Sequence, residues 1–323
     1  MPVPPLPLSQ TQHIARKLFE IARRAGQPPS PPPLGLPQDV STAPQPRVKV
    51  VCISDTHCLN PEVPDGDLLL HTGDMTNKGT FDEIQALLDW LNTLPHKHKV
   101  VIAGNHDELL DTAFVKERPQ LKMGPHDEMP GRTKADLDWG DIVYLENTST
   151  TIAFSSLAEN GGPQKTLKIF GSPMTPLIPG DPTYAFQYSP AQEDPWAGLI
   201  PDDADIVLTH GPPQFHLDLN RGCAHLLREV WRTRPPVMVW GHWHAAHGEE
   251  TAVYDSVAYW HMKAMTTRSW GSLLMLAFHA LLAKVGLHHG SKAQEARRGE
   301  ATRFVNAAIK SGNKMFDIIQ FEV

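Results

Sequence analysis

Five short clusters of oxygen- and nitrogen-bearing side chains follow one another in a fixed order: Asp55-Thr56-His57, Gly73-Asp74, Gly104-Asn105-His106-Asp107, Thr209-His210-Gly211 and Gly241-His242-Trp243-His244. Singly, each has an ordinary explanation. Asp-x-His and Gly-Asp occur in surface turns, and Gly-Asn tolerates left-handed backbone. Together, each placed where an apolar run gives way to a loop, they describe donors converging from several strand ends on one point. The chemistry that such donors support is hydrolysis of a phosphate ester by two divalent cations about 3.5–4 Å apart. That reaction needs a nucleophile at neutral pH, neutralisation of charge building on the phosphorus oxygens, and a proton for the leaving oxygen.

A pair of cations needs one shared ligand. A carboxylate, with two oxygens and a charge, is the natural bridge, and Asp74 is the candidate. Asp55 and His57 lie two residues apart and can converge on one ion together with His244. Asn105, His210 and His242 can fill the other. The set of carboxylate, amide and neutral imidazole suits two divalent ions, Mn, Fe, Zn, Co or Ni, with Mn favoured. The lack of thiolate argues against a closed structural zinc site. A hydroxide bridging the metals is the expected nucleophile. His106 directly follows a ligand and is free to act as a general acid or a charge stabiliser for the leaving oxygen. Asp107 is expected to orient it, as carboxylates often do for imidazoles.

These residues need strands to carry them. Lys49–Ser54, Leu68–Thr72, Lys99–Ala103, Asp205–Thr209 and Val237–Trp240 read as buried strands, and Ile142–Glu146, Thr150–Phe154 and Leu167–Gly171 as shorter ones. Phe81–Leu94 reads as a helix with Ile84, Leu87, Leu88 and Leu91 on one face, and His225–Arg234 as another. The alternation of strand and helix predicts an α/β domain. Residues 12–25 carry apolar groups at helical spacing among Arg16, Lys17, Arg23 and Arg24, which is an amphipathic helix. Residues 27–46 are proline-rich and read as a linker. The expected organisation is therefore a helix and linker over 1–46, then a phosphoesterase domain over 47–323 with a helical insertion at about 256–300, closed by strands over 304–309 and 316–323. The insertion holds an apolar run, Trp270–Leu287, broken by His279 and Lys284. A helix packed over the domain is the main reading, and one seated in a membrane interface is the sharper alternative.

Composition sets the limits. The 323 residues suffice for one large domain with extensions, and the formal charge of −7 with no basic stripe disfavours nucleic acid. Three cysteines without a C-x-x-C pattern predict neither disulfides nor thiolate zinc, and suit a reducing, cytoplasmic compartment. The N-terminal stretch does not read as a leader peptide, and no segment has the length and purity of a membrane span. Membrane-surface contact through the N-terminal helix or the 266–289 segment is the alternative partner to a small phosphoester substrate. Oligomeric state is not legible.

The ordered clusters resemble the calcineurin-like metallophosphoesterases, in the branch of metallophosphoesterase-domain-containing proteins. The resemblance rests on Ser54-Asp55-Thr56-His57, Pro64-Asp65-Gly66-Asp67, Val101-Ile102-Ala103-Gly104-Asn105-His106, Ile169-Phe170-Gly171-Ser172-Pro173 and Thr209-His210-Gly211-Pro212-Pro213. It implies a four-layer α/β/β/α sandwich with the metals above the strand ends. It implies Asp55, His57, Asp74 and His244 at one metal, Asp74, Asn105, His210 and His242 at the other, and His106 as the catalytic histidine. The protein Ser/Thr phosphatases of this superfamily carry Gly-Asp-x-Val-Asp-Arg-Gly, whereas this chain reads Gly73-Asp74-Met75-Thr76-Asn77-Lys78-Gly79. The second Asp and the Arg are missing, which weakens a protein phosphatase reading. Some vertebrate members of the branch have lost a histidine from Gly-His-x-His, but here both His242 and His244 are present. The expected activity is a phosphodiesterase for small diesters such as cyclic nucleotides. The alternatives are a phosphomonoesterase or nuclease of the same superfamily, or a non-catalytic nucleotide-binding scaffold.

Overall fold

The computed structural model describes residues 5–25, 47–118, 131–154, 165–177, 183–189, 194–285 and 301–323. The linker expected over 27–46 and residues 286–300 of the expected insertion lie outside these ranges. The elements are α1 (Gln10–Ala25), β1 (Lys49–Ile53), β2 (Leu68–Thr72), α2 (Phe81–Thr93), β3 (His98–Ile102), α3 (Thr112–Glu117), β4 (Ile142–Tyr144), β5 (Thr148–Phe154), β6 (Lys165–Ser172), β7 (Thr175–Pro176), β8 (Gln187–Tyr188), β9 (Ile206–Thr209), α4 (Ala224–Thr233), β10 (Val237–Trp240), β11 (Gly248–Val253), α5 (Ser256–Thr267), α6 (Trp270–Lys284), β12 (Ala301–Asn306), β13 (Lys310–Ser311), β14 (Lys314–Met315) and β15 (Ile319–Glu322).

Two sheets carry the fold, in the orders β15-β1-β2-β3-β4 and β11-β12-β10-β9-β6-β5. β1 to β4 run parallel, as do β6, β9, β10 and β12. The antiparallel strands β15, β11 and β5 sit at the edges. Strand alternation explains the layers. Val50, Cys52, Leu68, Leu70, Val100 and Ile102 face inward against Ile169, Leu208, Val239 and Val305 of the second sheet. Val51, Ile53, Leu69 and Val101, on the other face, meet Ile84, Leu87, Leu88 and Leu91 of α2. Phe170, Val207, Met238, Trp240 and Phe304 cover the far side of the second sheet, against Leu226 and Val230 of α4. Strands buried on both faces must be apolar throughout, which is why these runs lack alternation in the sequence. The result is the α/β/β/α sandwich. Cys52 lies within the core between the sheets, where burial pushes its thiol well up, so it behaves as a small hydrophobe.

α2 starts at Thr80, whose hydroxyl accepts from the Glu83 N–H, with Asp82 and Glu83 in its first turn. A further helical layer joins α1 to α5 and α6, with Ala15, Ala22, Val257, Ala264, Met265, Leu273, Leu276 and Ala280 buried between them. Gln12 donates to the Met265 carbonyl at 2.9 Å, and Arg23 pairs with Asp255 at 2.6 Å. α1 and the residues just before it also reach the loop after β9: Arg16 bonds Asn220, and the Leu6 N–H donates to the Leu219 carbonyl at 3.0 Å. That loop holds Phe215, Leu217, Leu219 and Asn220 at positive φ. It is held together by buried Asp218, which accepts from the N–H groups of Phe215, Asn220 and Gly222.

β11 was not expected; its burial alternates along an edge strand, so its Gly-Glu-Glu-Thr-Ala-Val sequence carries little core signal. His96, in the loop before β3, is buried and bonded to the Pro64 carbonyl at 3.0 Å.

Candidate metal centre

Every expected ligand leaves the C-terminal end of a parallel strand or the loop directly after it. Asp55 and His57 follow β1, Asp74 follows β2, Asn105 follows β3, His210 follows β9, and His242 and His244 follow β10. Because the two sheets face each other with these ends along one rim, five loops meet there. The backbone turns sharply as it does so: Asp55, His57, Asp74 and His242 all have positive φ, between 46° and 65°. Non-glycine residues in this region are uncommon, and they cluster where function fixes the chain. Glycines make the closeness feasible. A Cβ on Gly104 would lie 2.2 Å from the Asp74 nitrogen, and one on Gly241 would lie 2.1 Å from the Asp55 carboxylate.

The donors fall into two groups that share Asp74. Asp55, His57, Asp74 and His244 form one, and Asp74, His210 and His242 the other, with the ligand atoms of each within 4.8 Å of one another. His244 Nε2 lies 3.0 Å from Asp55 Oδ1, and His57 Nε2 is 3.4 Å from His244 Nε2 and 3.9 Å from Asp74 Oδ2. His210 Nε2 stands 3.2 Å from Asp74 Oδ1 and 3.0 Å from Asn105 Oδ1, which adds the amide to the second group. The His242 ring lies 5.1 Å from that of His210, centre to centre, and the His242 N–H donates to the Asp55 carboxylate. Asp55, Asp74, Asn105 and His210 are buried, while His57, His242 and His244 are partly exposed on the open side.

Backbone carbonyls set the imidazole tautomers. His57 Nδ1 faces the Thr76 carbonyl at 3.1 Å, and His210 Nδ1 the Thr72 carbonyl at 2.8 Å. A carbonyl only accepts, so each Nδ1 carries the hydrogen and each neutral ring turns an Nε2 lone pair to the centre. Two buried carboxylates, an amide oxygen and oriented Nε2 atoms fit a pair of divalent cations, and Asp74 is the carboxylate common to both groups that would hold them. His71 supports this from behind. Its Nδ1 accepts from the Gly73 N–H and its Nε2 meets the Thr56 hydroxyl at 3.0 Å. Burial pulls it down to about 3, so it stays neutral.

Charge in the centre is tightly balanced. Burial alone would raise Asp55, but His244 and His210 outweigh it and hold it down at about 2. Asp74 is likewise driven well below the usual range, chiefly by His210, against its burial. Burial would lower His210, yet Asp74 and Asp55 push it up to about 9. Burial lowers His242 to about 3, with His210 adding to the effect. Below about pH 9, therefore, a proton on the His210 ring competes with a cation for its Nε2. Metal affinity at this position should rise as pH climbs from 7 toward 9 and level off beyond. Against burial, Asp55 also pushes His244 up, so calorimetric titration with Mn²⁺ at pH 7, in buffers of different ionisation enthalpy, should show at least about one proton released.

Asp107 is placed otherwise than expected. It is fully buried and accepts from the Gly104 N–H at 2.7 Å, the Met75 N–H at 3.2 Å, the Thr76 N–H at 3.0 Å and the Thr76 hydroxyl at 2.8 Å. None of these bonds goes to the His106 ring, whose Nδ1 faces the Asn77 carbonyl at 3.0 Å. The orienting acceptor for His106 is thus a backbone oxygen. Asp107 instead staples the loop bearing Asp74 to the loop bearing Asn105. Burial, reinforced by Asp74, pushes it up to about 6 against those bonds. Asp107→Ala would leave three buried N–H groups without an acceptor and should cost on the order of 3 kcal/mol or more. Urea unfolding of the metal-free protein measures this, and a change below about 1 kcal/mol would contradict the role.

His106 sits outside both groups, half-buried, with its N–H donating to Asp74 at 2.9 Å. Its ring lies 5.1 Å from that of His57 and 4.9 Å from that of Tyr184. Tyr184, Asn306 and the carbonyls of Thr72, Thr76 and Asn77 were not read from the sequence. Carbonyl roles leave no side-chain signature. Asn306, which donates to the carbonyls of Leu217 and Trp243, comes from a strand distant in sequence.

Known proteins resemble this chain in sequence. The sequence model of the calcineurin-like phosphoesterase family matches residues 48–246. The chain is 36% identical over 269 residues to a probable rhamnogalacturonate lyase C of Emericella nidulans, covering 82% of this chain but only 23% of that protein. It is 35% identical over 224 residues to a UPF0046 protein of Caenorhabditis elegans, covering 64% of this chain and 72% of the relative. It is 32% identical over 228 residues to the human metallophosphoesterase domain-containing protein 1, covering 64% of each.

Proposed function

The chain belongs to the calcineurin-like phosphoesterase family, and on that premise we propose that it is a metal-dependent phosphodiesterase acting on small diesters of the cyclic nucleotide type. The observation that carries this reading is Asp74, one buried carboxylate common to two groups of donors. When bound, two divalent cations, Mn favoured, supply Lewis acidity toward the phosphoryl oxygens and acidify a water for attack. Asp55, His57, Asp74 and His244 would hold one, and Asp74, Asn105, His210 and His242 the other.

The chain's own residues do the remainder. The buried carboxylates and the carbonyl-locked imidazoles fix the donors in place before substrate arrives, so little reorganisation is left for the reaction itself. His106 lies beside the shared carboxylate with its Nδ1–H held by the Asn77 carbonyl. Its Nε2 is thereby free to carry a proton to the departing alkoxide. The diester preference has its own support. Among the described residues, the strongest charge partners of Asp55, Asp74, His210, His242 and His244 are imidazoles and carboxylates, with no Arg or Lys among them. A monoester dianion would call for such a cation more than a singly charged diester does.

The test is a substrate panel on Mn-reconstituted protein: bis-nitrophenyl phosphate, nitrophenyl phosphate, 2′,3′- and 3′,5′-cyclic nucleotides, and DNA. The expected result is the highest kcat/KM on a small diester. A clear preference for the monoester or for DNA would replace the reading with a phosphomonoesterase or a nuclease. No turnover with metal bound would leave a binding protein.

A further inference from the structure

Among the described residues, nothing covers the outer face of α6. At 100° per residue, Trp270, Leu274, Phe278, Leu281 and Val285 fall within an arc of about 80°, and each is more than half exposed. Leu273, Leu276 and Ala280, on the opposite side of the helix, are the residues that pack on α1 and α5. A surface helix ordinarily turns polar groups outward, and contiguous exposed apolar stripes mark interaction sites. With 15 residues, α6 is about 22 Å long, short of the hydrocarbon thickness of about 30 Å. No helix among the described residues is long and apolar enough to cross a membrane. The stripe can lie in a bilayer surface but cannot traverse it.

Charge identifies the occupant. From Ser256 to Val285 the chain holds Lys263, Arg268 and Lys284 and not one Asp or Glu. α1 adds Arg16, Lys17, Arg23 and Arg24 against Glu20 alone. This layer is basic in a chain of formal charge −7. Arg23 is engaged by Asp255 and Arg16 by Asn220, but Lys17, Arg268 and Lys284 are exposed. Arg268 stands just before the first turn of α6 and Lys284 in its last turn, so a cation brackets each end of the apolar stripe. Trp270 lies at one of those ends, and aromatic side chains of this kind favour the headgroup boundary. An apolar stripe framed by cations is complementary to lipid tails beneath anionic headgroups.

The geometry points to α6 as an in-plane anchor that docks the protein on an anionic phospholipid surface through Trp270, Leu274, Phe278 and Leu281. This is independent of the proposed activity. Co-sedimentation of the full chain with phosphatidylcholine vesicles, with and without about 30% phosphatidylserine, tests it. Binding is expected to the anionic vesicles, weakening as salt rises from about 0.1 to about 0.5 M. The double substitution L274E/F278E should reduce it about tenfold or more, and R268A/K284A should reduce it on anionic vesicles alone. All four positions are exposed, and unchanged thermal melting of the variants shows that the fold is intact. Sedimentation with neither vesicle, or undiminished binding of L274E/F278E, would overturn the anchor. Equal binding to both vesicles would overturn the anionic assignment. A wild-type dimer that L274E/F278E converts to monomer, without vesicle binding, would assign the stripe to a second copy instead.

Discussion

Alanine at Asp74 is expected to remove the metal and the turnover together. Its carboxylate belongs to both donor groups, so its loss takes a charged ligand from each. The same oxygen accepts the His106 N–H at 2.9 Å and stands 3.2 Å from His210 Nε2, so the substitution also releases the histidine placed to protonate the leaving group. No neighbour can substitute, because Asp55 is already committed to His244 and to the His242 N–H. Diester turnover should fall by more than about a thousandfold, and elemental analysis should find well under two metal ions per chain. Asp74→Asn, which keeps the shape and one acceptor oxygen, should retain more of the fold's stability while still losing the metal. A variant that keeps two ions and near wild-type rates would remove the basis of the two-metal reading.

His106→Ala should behave differently, and the contrast separates ligation from proton transfer. His106 lies outside both groups, so metal content should be unchanged. The rate should fall by about 10²–10⁴ on esters with an alkoxide leaving group, where the departing oxygen needs a proton. On nitrophenyl esters, whose leaving group departs without protonation, the loss should be much smaller. A uniform loss across leaving groups would assign the ring to charge stabilisation at phosphorus. No loss on any ester would remove it from the mechanism.

How far the sequence reveals this centre depends on what each residue does. The ligands are legible because metal binding restricts residue type, and because strand ends leave a mark where apolar runs stop. The sandwich is legible for a related reason: Val50 to Ile53 must be apolar on both faces to lie between a second sheet and a helix. Asp107 shows where such reasoning fails. Adjacency to His106 suggested an orienting carboxylate, but the turn after β3 directs its oxygens to the amides of Gly104, Met75 and Thr76. Spacing shows that two residues are neighbours, not which way a buried side chain faces. β11 escaped for the opposite reason, since an edge strand with one solvated face needs no apolar run.

The loop after His210 is gripped from two directions. Leu6, just before α1, and Arg16 of α1 hold it from one side, and Asn306 ties its Leu217 carbonyl to that of Trp243, between His242 and His244. Four of its residues keep a left-handed backbone that such clamps must sustain. α1 lies upstream of the segment shared with the family, residues 48–246. Asn306 lies downstream of it, so transplanting that segment alone into another protein would carry over every ligand yet lose both clamps. A peptide whose side chains touch no metal thus helps to determine how two ligand-bearing turns rest against each other.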